Sequence, residues 1–65
     1  MLDVEQAMLA EKFQQLLDQE CEAERAYADL AGQTEDPAAR QQLELLSREK
    51  RHHAELVQRL LEIVE

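Results

Sequence analysis

Five titratable side chains fall on or beside faces of the chain that are otherwise apolar at helical spacing: Glu20, Glu24, Glu49, His52 and His53. At about 100° per residue, Glu20 lies at the centre of a stripe made by Phe13, Leu16 and Leu17 before it and Ala23 and Tyr27 after it, and Glu24 lies about 40° off that line. Glu49 and His53 lie within a second stripe, with His52 at its edge. Carboxylates and imidazoles together are cation ligands. In Glu49-Lys50-Arg51-His52 the two kinds stand at i and i+3, the spacing at which side chains point the same way from one helix. A buried carboxylate without a partner is costly, so Glu20 needs either a metal ion or a Lys or Arg on a neighbouring helix. Both readings stand at this point. Under the metal reading the candidate catalytic and metal-binding residues are Glu20, Glu49 and His52, with Glu24 and His53 as weaker candidates. His52 is preferred to His53 because a Glu lies three residues before it, whereas Lys50 lies three before His53.

The elements that must position these residues follow from composition and punctuation. The single Gly and single Pro sit together in Gly32-Gln33-Thr34-Glu35-Asp36-Pro37, and the segments on either side are rich in strong helix formers. Gly32 suits the left-handed residue just past a helix end, and Asp36-Pro37 suits an N-cap followed by the first helical position. Asp3 and Gln6 have capping-box spacing. The expected structure is all-α: a helix over about 4–31, a turn over about 32–36 and a helix over about 37–64, in one domain. A short turn makes the helices antiparallel. The midpoint between positions 20 and 49 falls within that turn, so the two glutamates are expected to meet at one level, where they repel unless a proton or cation lies between them.

The expected buried faces are Leu9, Phe13, Leu16, Leu17, Ala23, Tyr27, Leu30 and Ala31 on the first helix, and Leu43, Leu46, Leu56, Val57, Leu60, Ile63 and Val64 on the second. Two helices touching only each other leave much of both stripes wet. A homodimer forming a four-helix bundle is the smallest assembly that covers them. It would bring together four carboxylates and two imidazoles, a set that suits two iron ions per dimer interface, or manganese, better than structural zinc.

Composition narrows the alternatives. The 65 residues carry 15 acidic against 7 basic side chains, a formal charge of −8, which argues against nucleic acid as a partner. A chain this short buries too little surface to be comfortable alone. Its one cysteine, Cys21, cannot form an internal disulfide and reads as a small buried or interface residue rather than a thiolate ligand. Apolar runs are too short to span a membrane, and the first residues lack a secretory pattern. The expected location is the cytoplasm.

The stretch from Glu20 to Tyr27, Glu-x-x-Ala-x-x-x-Tyr, and the unit Glu49-x-x-His52 followed by Leu56 and Leu60 resemble the metal motifs of rubrerythrin-type and encapsulated ferritins over about residues 13–61. Because the motif occurs once, the chain is similar to the half-ferritins of the ferritin-like superfamily, whose two-helix chains pair to complete a ferroxidase centre. The resemblance implies that Glu20, Glu49 and His52 are iron ligands, with Tyr27 packed behind them. It further implies rings of dimers and an encapsulin-type protein shell as a partner and location. The 65 residues end within or just after the second helix, so packaging through a cargo tail is not expected of them, and they carry no Cys-x-x-Cys site of the kind a peroxide-reducing rubrerythrin carries. A dimer or ring need not enclose a mineral, so iron storage is not expected of this chain alone. Two functions are carried forward: an enzyme that oxidises Fe(II) between two subunits, and a non-enzymatic, self-associating helical-hairpin interaction module.

Overall fold

The computed structural model describes residues 3–65; Met1 and Leu2, the start of the N-terminal pattern read above, lie outside the described residues. Two helices, α1 (Val4–Gln33) and α2 (Pro37–Val64), pack against each other as a hairpin. Both expected N-caps form. Asp3 Oδ1 accepts from the Gln6 N–H at 2.7 Å and the Gln6 side chain accepts from the Asp3 N–H at 3.3 Å, closing the capping box. Asp36 Oδ2 accepts from the Ala39 N–H at 2.8 Å, with Pro37 in the first turn where its missing N–H costs nothing.

The end of α1 departs from expectation. Gly32 lies inside the helix, which runs on to Gln33, and no described residue has a left-handed backbone. Thr34, in an extended conformation, ends the helix instead. Its hydroxyl donates to the Leu30 carbonyl at 2.6 Å and its N–H to the Ala31 carbonyl at 3.3 Å. Arg40, from the first turn of α2, donates through Nε and Nη2 to the Thr34 carbonyl at 2.9 and 2.7 Å. The guanidinium thus sets a positive charge near the C-terminal end of α1, which has no basic residue in its own last turn. With these side-chain bonds meeting the exposed carbonyls, a glycine cap is unnecessary.

The residues that meet across the hairpin repeat at alternating steps of three and four, the pattern of a coiled-coil seam. On α1 they are Ala10, Phe13, Leu17, Glu20, Glu24, Tyr27 and Ala31, with Thr34 just past its end; on α2 they are Leu43, Ser47, Lys50, Ala54, Val57, Leu61 and Val64. Only Ala31, Ser47, Ala54 and Leu61 are buried, and no large side chain among the described residues is fully covered. Five residues of the expected stripes, Leu16, Leu30, Leu56, Leu60 and Ile63, remain exposed. The result is a rod, 51 × 13 × 11 Å, with a radius of gyration of 15.2 Å against about 11 Å for a globule of this length. No helix among the described residues is long and apolar enough to cross a membrane.

Candidate metal centre

Glu20 sits between the seam and the open apolar face of α1, because its rotation on the helix places it about midway between Leu16 on the open side and Leu17 on the seam side. From α2 it is met by Lys50, whose Nζ is 3.3 Å from Glu20 Oε2, and by His53, whose Nδ1 is 3.5 Å from the same oxygen. That oxygen is buried, yet it makes no hydrogen bond. Both contacts are longer than the 2.7–2.9 Å typical of charge-assisted bonds, so this is a loose ion pair around a desolvated oxygen with unfilled acceptor capacity.

The unit of α2 that addresses Glu20 is therefore Lys50-x-x-His53, one residue on from the expected Glu49-x-x-His52. The cause is the seam. Its three-four alternation puts Lys50 between Ser47 and Ala54 in the line of contact, and a one-residue offset rotates Glu49 about 100° away. Glu49 is exposed, and its rotation sets it in the middle of the open stripe among Leu45, Leu56 and Leu60. His52, 67% exposed, lies on the far edge of that stripe, with Nδ1 4.0 Å from Glu55. Glu20 and Glu49 thus flank the same open surface from two helices rather than facing each other across the hairpin.

Glu24 is engaged elsewhere. Its carboxylate accepts from Arg51 Nε at 2.8 Å, and its backbone carbonyl accepts from the Ser47 hydroxyl at 3.1 Å. The hydrogen bond to Glu24, and after it the attraction of that carboxylate, hold the Arg51 guanidinium above its ordinary pKa. Sequence reasoning did not find this polar layer. Ser47 at a seam position was the available signal, since a small hydroxyl between Leu43 and Ala54 lets the helices approach closely there. Tyr27 is half-buried on the seam, two turns beyond Glu20, and Cys21 is a free, half-buried thiol.

Within a single hairpin no three His, Cys, Asp or Glu side chains among the described residues gather closely enough to hold an ion. One chain offers Glu20 and His53 together, with Glu49 and His52 exposed on or at the edge of the open face. The donor set suits a cation in two respects: Glu20 Oε2 is desolvated with acceptor capacity to spare, and Glu49 and His52 add a second carboxylate and imidazole, exposed on or beside that face. Compared with known proteins, the chain matches no family model, no curated protein and no solved structure.

Proposed function

We propose that this hairpin is one half of a ferritin-like four-helix bundle formed with a second copy, and that the bundle takes up and oxidises Fe(II). The observation that carries the reading is the Glu20 carboxylate, with its buried, unbonded Oε2 level with His53 at the margin of an apolar face that also displays Glu49. Self-association itself is supported by area. The hairpin exposes 4990 Å², about 740 Å² more than the roughly 4,250 Å² expected of a folded monomer of its mass. That excess is close to the approximately 800 Å² each partner gives up in a standard interface.

Fe(II) is the substrate. Glu20 and Glu49 from both copies would supply the negative charge that holds two ferrous ions, with the imidazoles of His52 or His53 as neutral donors. Two Fe(II) give up two electrons, which reduce dioxygen to hydrogen peroxide with two protons, or hydrogen peroxide to water. The net charge of −8 per chain draws cations toward the protein.

A second reading, the self-associating module without metal, is favoured by Lys50, which already offers Glu20 a positive charge at 3.3 Å. Titration with Fe(II) in air separates the two. The ferroxidase should develop ferric absorbance faster than buffer and saturate near one iron per chain, and Glu20→Ala or Glu49→Ala should each remove most of the rate while circular dichroism stays helical. Iron oxidation no faster than in buffer leaves the module.

A further inference from the structure

We infer that Lys50 is the resident counter-ion of Glu20, so that its ammonium neutralises the carboxylate in the metal-free protein and any divalent ion entering the site has to displace it. The second half of this inference rests on the ferroxidase reading; the first half does not. The geometry comes from both helices. Lys50 occupies a seam position, and the other seam residues of α2, Leu43, Ser47, Ala54, Val57, Leu61 and Val64, are apolar or a small Ser, so the register of the hairpin itself directs its side chain at Glu20. The two charged side chains are largely covered, 29% and 24% exposed, and Nζ lies 3.3 Å from Oε2. His53 approaches the same oxygen at 3.5 Å from the open side. Arg51, the neighbouring cation, is bonded to Glu24 and leaves Glu20 to Lys50.

A covered carboxylate stripped of its partner is left uncompensated, whereas removing both charges leaves two neutral groups. A divalent ion bound to Glu20 would bring two positive charges to the atom at which Lys50 now stands, and the resulting repulsion has to be relieved by moving the ammonium outward. The side chain is partly exposed and flexible enough to do this. Lys50 therefore sets how strongly the site prefers its own cation to an external one.

A double-mutant cycle in chelator-treated protein tests the ion pair without any metal. Thermal unfolding at fixed concentration is compared for wild type, Glu20→Gln, Lys50→Met and the double variant, Met being chosen to keep the apolar stem. Glu20→Gln should leave the midpoint of wild type unchanged or lower, and should raise that of Lys50→Met by about 3 °C or more. The same effect in both backgrounds would overturn the assignment. Binding of Mn(II), followed by the loss of the free-ion electron paramagnetic resonance signal, tests displacement, and Lys50→Met should bind at least about tenfold more tightly than wild type. Equal binding by the two proteins overturns the displacement and spares the ferroxidase reading. Binding by neither removes displacement together with the ferroxidase reading, and the cycle alone then decides whether Lys50 is the counter-ion.

Discussion

At the scale of single residues, sequence position specifies the direction of a side chain only after the register of the seam is known. Glu20 stands out in the sequence as a carboxylate in an apolar stripe, and the structure keeps it half-buried with one covered oxygen that accepts no hydrogen bond. His52 and His53 differ by only 100° of rotation, and that difference makes His53 the one beside Glu20. Gly32 was readable as punctuation but not as a cap. It has ordinary helical backbone, and a Cβ added there would meet nothing within 4 Å. Gly32→Ala should accordingly stabilise the protein by about 0.5–1 kcal/mol, through better helix propensity and a less free unfolded chain. Urea unfolding at equilibrium would check this, with a higher midpoint and unchanged slope as the expected result.

At the scale of elements, both helices start where short polar side chains can satisfy their first N–H groups, and these signals are local enough to be read directly. Asp3 and Asp36 lie next to the segments they cap, so no long-range contact is needed to recognise them. The end of α1 was less legible because its carbonyls are met by Thr34 and, across the turn, by Arg40, six residues further on. Asp36→Ala should cost about 0.5–2 kcal/mol, the usual range for losing an N-cap side chain. The loss should appear as a lower unfolding midpoint and as faster amide hydrogen exchange in the first turn of α2, with α1 little changed. Uniform acceleration over both helices would show that the turn and α2 are one cooperative unit rather than a locally capped end.

At the scale of the whole molecule, the hairpin buries too little to resemble a finished domain. The four buried residues among those described are mostly small, and the larger side chains divide between the seam and an open face. Leu56 and Leu60, 42% and 45% exposed, belong to that face and not to the seam. If the hairpin pairs through this face as proposed, replacing both with Glu should reduce the mass measured by light scattering to that of one chain, by placing four new charges in the paired interface. The reason is desolvation: carboxylates without partners are costly to cover, whereas on an isolated hairpin they would remain in water. A wild type with the mass of one chain would remove the pairing, and an assembled mass unchanged by the substitutions would move the interface to the opposite face, where Ala28, Gly32, Arg48 and Arg51 line a shallow groove.

The sequence by itself determined the elements. Helix propensity, two N-caps and one short turn act within a few residues, so they specify an antiparallel hairpin without reference to the tertiary structure. It also marked Glu20, Glu49 and the paired histidines as unusual, because a charge in an apolar stripe is visible at fixed periodicity. What only the tertiary structure decided was how that broad stripe divides. An apolar face wide enough for two contacts does not say which residues meet the partner helix, and a shift of one position rotates a side chain by about 100°. Packing chose the line through Ser47, Lys50, Ala54 and Leu61, where Ser47, Ala54 and Leu61 are buried and the Ser47 hydroxyl reaches the Glu24 carbonyl of the other helix. That choice brought Lys50 and His53 to Glu20 and left Glu49 on the open face.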